Sequence, residues 1–126
     1  MKIEHTAINV ANPGEMANWY EKNLGMKTVF KLDADPFTHF IADDSGVMIE
    51  IYSNKQAPIP DYKSMHPLIL HLAFVSENPE ADKKRLEKAG AFYQEEVKLP
   101  DGTHLVMMRD PWGLAIQFCK RAKALV

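Results

Sequence analysis

The chain has 126 residues, 46% of them hydrophobic and 25% charged, with a formal net charge of −2. That is one domain's length, and its 15 Lys and Arg are mixed with 17 Asp and Glu rather than gathered into a patch, which argues against nucleic-acid or membrane partners. The single cysteine, Cys119, excludes an intrachain disulfide framework and a multi-cysteine metal site; with no signal-like N-terminus and no apolar run near ~18 residues, the expected location is the cytoplasm.

Residues 3–10 alternate in a β pattern, and Asn12-Pro13-Gly14 breaks the strand before an amphipathic helix with Met16, Trp19, Tyr20 and Leu24 on one side. Gly25 stands where a helix C-cap is expected. Strands are predicted near 27–32, 37–42 and 46–53, separated by Asp33-Ala34-Asp35-Pro36 and Asp43-Asp44-Ser45-Gly46. The connection 54–66 is rich in Pro, Asn and charge, and the order then repeats. A strand is expected at 68–75, then an N-cap in Ser76-Glu77-Asn78-Pro79 and a polar helix to Ala89 stopped by Gly90. Strands near 92–98, 103–109 and 113–120 follow, turned by Pro100-Asp101-Gly102 and Asp110-Pro111-Trp112-Gly113. The prediction is α+β: two βαβββ modules, about 1–53 and 67–121, in a single domain spanning 1–126.

The duplication is visible residue by residue. Asp43 and Asp110 are 67 positions apart, as are Gly46 and Gly113, and Glu50 and Gln117; His5 and His71 are 66 apart. Because side chains alternate across a strand, one face collects His5, Ala7 and Asn9; Met48, Glu50 and Tyr52; His71 and Ala73; Ala115, Gln117 and Cys119. The opposite face collects Ile8, Val10, Ile49, Ile51, Leu70, Leu72, Phe74, Leu114, Ile116 and Phe118, bulky and apolar as a face beneath helices must be. The first face is small or polar, the lining of a cavity.

A lone histidine in such a strand is more often a hydrogen-bonded core residue than a ligand, and Gln117 alone reads as an amide satisfied by backbone. Glu50, flanked by Met48, Ile49, Ile51 and Tyr52, is costly to bury as an unpaired carboxylate. Together, two imidazoles, one carboxylate and one amide oxygen at repeat-equivalent positions match the N and O donors of borderline divalent metals.

These features resemble the vicinal oxygen chelate superfamily: the βαβββ duplication, His5 in Glu4-His5-Thr6-Ala7-Ile8-Asn9-Val10, the helix Trp19-Tyr20-Glu21-Lys22-Asn23-Leu24-Gly25-Met26, Glu50 in Met48-Ile49-Glu50-Ile51, His71 in Leu70-His71-Leu72-Ala73-Phe74, and Arg109-Asp110-Pro111-Trp112-Gly113. That superfamily includes glyoxalase I, bleomycin- and fosfomycin-resistance proteins and extradiol dioxygenases. The resemblance runs from Ile3 to Lys120 and implies an open, barrel-like mixed sheet with helices outside. It implies a divalent metal (Ni, Co, Zn, Mn or Fe) held by His5, Glu50, His71 and Gln117, a substrate chelated through adjacent oxygens, and a homodimer. Bacterial glyoxalase I looks like His, Glu, His, Glu in ligand order, so Gln117 is a departure that leaves Glu50 as the one carboxylate for base catalysis. Family members place Arg four residues after the first ligand and four before the third; Asn9 and Pro67 stand there, and only Asn54, four after Glu50, fits a glutathione site. Asn9, Tyr52, Asn54 and Trp112 are the substrate-binding candidates: Tyr52 through its hydroxyl, Trp112 by closing the pocket, although packing explains a turn Trp about as well. Nothing near Cys119 lowers its pKa, and His39, His66 and His104 have no repeat partner. The expected function is a metal-dependent lyase or isomerase of glyoxalase type. A non-catalytic protein that sequesters a small aromatic or chelating compound is the alternative, and an extradiol-type dioxygenase ranks third.

Overall fold

The computed structural model describes residues 1–126. Its elements are β1 (His5–Asn9), α1 (Pro13–Leu24), β2 (Lys27–Lys31), β3 (His39–Ala42) and β4 (Met48–Tyr52), then β5 (Leu72–Val75), α2 (Pro79–Lys88), β6 (Phe92–Lys98), β7 (His104–Arg109) and β8 (Ala115–Lys120). They form two units, Met1–Pro60 and Asp61–Val126, each a βαβββ module with its own open four-stranded sheet. The strand orders are β1-β4-β3-β2 and β5-β8-β7-β6, the same order written twice. In each, the first strand lies parallel to the last and the other pairs are antiparallel. The chain is α+β.

In the first unit Pro13 opens α1, where its missing N–H costs nothing, and Gly25 ends it at φ 71°, a left-handed conformation that glycine adopts freely. The helix buries Pro13, Met16, Ala17 and Tyr20. Trp19 and Leu24 stay at the rim, half-buried. Ile8, Ile41, Ile49 and Ile51 are buried on the sheet, as the alternation predicts. In the second unit the Asn78 side chain accepts from the Ala81 backbone N–H at 3.1 Å, capping α2. The core of that unit is Leu86, Val106, Met108, Leu114, Ile116 and Phe118.

The duplicated turns are built from the same hydrogen bonds. The Asp43 carboxylate accepts from Ser45 N at 2.9 Å and Val47 N at 3.0 Å, and the Asp110 carboxylate accepts from Trp112 N at 2.9 Å and Leu114 N at 3.0 Å. Asp43 N donates to Val47 O and Gly46 N to Asp43 O; Asp110 N donates to Leu114 O and Gly113 N to Asp110 O. The surroundings differ, since Asp43 is exposed and Asp110 fully buried.

One expectation is corrected. The strand predicted at 68–75 begins only at Leu72, and 67–70 is a turn that leaves Leu68 and Ile69 77% and 71% exposed. Ile69 N donates to His66 O and Leu68 N to His66 Nδ1, so local bonds curl the apolar run Leu68-Ile69-Leu70 away from the sheet.

Candidate functional site

In the first unit His5 opens β1, and Glu50 lies midway along β4 opposite Ala7 and Phe40. Both project from the face away from α1, with side chains 30% and 20% exposed, and His5 Nε2 lies 3.3 Å from Glu50 Oε2. His5 Nδ1 is 2.9 Å from Glu4 Oε2. A carboxylate can only accept, so Nδ1 carries a proton toward Glu4, while Nε2 faces the second carboxylate, Glu50. Along the same face run aromatic contacts: His5 meets Phe40 edge-on at 5.3 Å, and Phe40 meets Phe30 at 6.0 Å.

The second unit carries the repeat-equivalent pair. His71 immediately precedes β5, and its Nδ1 donates to Pro67 O at 2.9 Å, which leaves Nε2 as the acceptor nitrogen. Gln117 lies in β8 opposite Ala73 and Met107. Cys119 Sγ donates to Gln117 Oε1 at 3.3 Å. Burial pushes the Cys119 thiol above its ordinary value, against a smaller opposing pull from Arg121, so it remains a protonated donor.

Four substrate-binding candidates were expected. Asn9 is bonded to the connection that follows β4: its Nδ2 donates to Asn54 O at 3.0 Å and Ala57 O at 3.1 Å, and Asn54 N donates to its Oδ1 at 2.8 Å. The structure thus joins Asn9 to Asn54 through the backbone of Asn54. Tyr52 is half-buried at the end of β4, opposite Asn9. Trp112 sits half-buried in the Asp110 turn.

Sequence reading missed the work of Arg109. Its Nε donates to Gln94 Oε1 and its Nη1 to Tyr62 O and Gly113 O, each at 2.9 Å, and Nη2 donates to Met65 O at 3.0 Å. A signal was present: alternation places Arg109 on the face of Ala115 and Gln117, where a cation on a partly buried strand needs acceptors. Gly113 adjoins the same segment. A Cβ there would lie 2.9 Å from the Lys63 Cα and backbone N, so no side chain fits.

The donor chemistry fits a divalent metal in part. Two N or O donors bound at about 2.0–2.2 Å to one ion stand about 3–3.5 Å apart, and the His5–Glu50 separation of 3.3 Å falls in that interval. Both histidines have Nδ1 engaged by an acceptor, the outer-shell arrangement typical of metal-bound imidazoles. Neither unit alone gathers three His, Cys, Asp or Glu side chains.

The sequence profile of the Glyoxalase/Bleomycin resistance protein/Dioxygenase superfamily matches residues 2–118. The chain belongs to that superfamily. A curated member-like relative is the uncharacterized protein YwbC of Bacillus subtilis (strain 168), 28% identical over 132 residues that cover 95% of this chain and 98% of YwbC. Among solved structures, the lactoylglutathione lyase of Agrobacterium tumefaciens superposes with a TM-score of 0.70 at 18% identity, covering 96% of this chain and 94% of that one. TnmS3, an antibiotic binding protein from Streptomyces sp. CB03234, gives 0.72 at 15% identity, with 94% of each chain covered. At such identities the likeness carries the fold alone, and the glyoxalase superfamily fold hosts both a lyase and a binder. No helix is long and apolar enough to cross a membrane.

Proposed function

We propose that the chain is a divalent-metal-dependent lyase or isomerase of the glyoxalase type, acting on a small substrate with two adjacent oxygen atoms. His5, Glu50, His71 and Gln117 form its donor set. The observation that supports this reading is the His5–Glu50 pair, 3.3 Å apart on the face away from the helix, with the far nitrogen of His5 held by Glu4. A bound nickel, cobalt, zinc, manganese or iron(II) ion supplies Lewis-acid polarisation of the substrate's oxygen atoms. Glu50 takes the proton from the carbon beside the carbonyl and returns it to the neighbouring carbon, a hydrogen shift with no net oxidation. Gln117 is a neutral amide and holds no proton of this kind, so the transfer falls to Glu50 alone. The test is elemental analysis of the purified protein, then an assay of hemithioacetal isomerisation with methylglyoxal and glutathione. Stoichiometric metal that disappears in His5→Ala and His71→Ala is expected; protein that takes up no nickel, cobalt or zinc at neutral pH refutes the reading.

A second reading, binding without turnover, is favoured by the aromatic run His5–Phe40–Phe30, which offers ring edges and faces to a planar ligand. Glu50→Gln separates the two. A binder keeps its affinity, whereas an enzyme loses rate by about 100-fold or more with its proton-transfer group.

A further inference from the structure

The segment before His71 is held in place by a residue with no direct contact to that histidine. Tyr62 is buried, Met65 N donates to Tyr62 O, Leu68 N and Ile69 N both bond back to His66, and the carbonyl of Pro67 accepts from His71 Nδ1. Residues 62–69 therefore form consecutive turns whose last acceptor sets the ring of His71. The strand side of this strap is fixed by Arg109, whose guanidinium donates to Tyr62 O and Met65 O while also binding Gly113 O and Gln94 Oε1. A planar fork with five N–H groups can hold two carbonyls of one turn at once; an ammonium cannot reproduce that geometry. Gly113, with no side chain, lets the strap's Lys63 backbone approach the sheet closely enough for those bonds.

We propose that Arg109 is a positioning residue for His71, acting through the 62–67 strap: it fixes Pro67 O, and Pro67 O fixes the imidazole as the Nδ1–H tautomer with Nε2 presented. The functional value of this device rests on the reading of His71 as a metal donor; the positioning itself does not. The first unit contrasts with it, because His5 is held by its own neighbour, Glu4, and needs no strap.

The experiment uses the full-length, metal-free protein with 15N-labelled histidine, in which long-range proton–nitrogen correlations report the tautomer of each ring. Wild-type protein shows His71 as Nδ1–H. Folded Arg109→Ala shows His71 as a mixture of tautomers while His104, bonded to Glu96 at 2.6 Å, keeps its wild-type signals. Nickel or zinc affinity in Arg109→Ala falls about 10- to 100-fold, the usual effect of losing an outer-shell partner. Arg109→Lys, which retains the charge but reaches fewer carbonyls, gives an intermediate His71 signature and remains informative if the alanine variant does not fold. A His71 signature unchanged in a folded Arg109 variant overturns the proposal. A changed signature in a protein whose metal content is indifferent to His71→Ala upholds the positioning and overturns the metal reading instead.

Discussion

Asp110 and Asp43 make the same turn in different surroundings, so replacing each by alanine separates the hydrogen bonds from the burial. Asp110→Ala removes an acceptor from the N–H groups of Trp112 and Leu114, at 2.9 and 3.0 Å. Asp110 and Leu114 are 0% and 1% exposed, so water does not readily take the carboxylate's place. The buried Leu114 N–H left without a partner costs ~1–3 kcal/mol, toward the upper end because its acceptor is charged, and the part-buried Trp112 N–H costs less, which gives ~2–4 kcal/mol for the pair. Asp43 also bonds the Ser45 hydroxyl, at 2.7 Å, yet it stands at the surface, where water replaces all its partners; ~1 kcal/mol is expected. Burial pushes the Asp43 carboxyl up, but the bonds from Ser45, Val47 and Gly46 outweigh it and hold its pKa below the ordinary value. Equilibrium urea denaturation, read through the fluorescence of Trp19 in the first unit and Trp112 in the second, measures both losses. Losses equal within about 0.5 kcal/mol would show that burial does not decide what this turn is worth.

Asn9→Ala removes the bonds to Asn54, Ala57 and Pro58 and frees the backbone around Lys55, which is already exposed; limited trypsin digestion should cut after Lys55 faster than in wild type, and an unchanged rate would show that the loop holds itself. A carboxylate outside the donor set governs a pH effect. The pKa of Glu96 is lowered chiefly by its hydrogen bond to His104, against burial, with smaller help from Lys83 and Tyr93. A pKa lower in the folded state than in the unfolded state gives stability that is present above the unfolded value and lost as the pH falls through the folded one. The denaturation midpoint should therefore drop on acidification below the ordinary glutamate range, and by less in His104→Ala. An acid sensitivity identical in that variant would remove Glu96 from the account.

Much of this architecture was readable because it follows two short periods and one long one. Alternation sorted Ile8, Ile49, Ile51, Ile116 and Phe118 from His5, Glu50 and Gln117 without any tertiary information, and the recurrence of Asp-x-x-Gly fixed the equivalence of the modules. What escaped depends on partners distant in sequence. Leu68-Ile69-Leu70 has a strand's composition, and only the bonds to His66 show that it turns. Arg109 reaches carbonyls 44 and 47 positions away, and Asn9 reaches 45 to 49 positions forward, distances on which periodicity is silent. The pairing of His5 with Glu50 was legible only as a shared face, because parity gives the side of a sheet and not a separation of 3.3 Å.

The two side-chain clamps also change what the stretch between the modules is. Asn9 gathers 54–58 into the first unit and Arg109 gathers 62–65 into the second, which leaves Ile59, Pro60 and Asp61, all exposed, between them. A segment that reads as thirteen residues of spacer is in effect a three-residue seam. Extra residues spliced in after Ile59 should leave both modules intact, while the same residues placed a few positions to either side would cut a clamp.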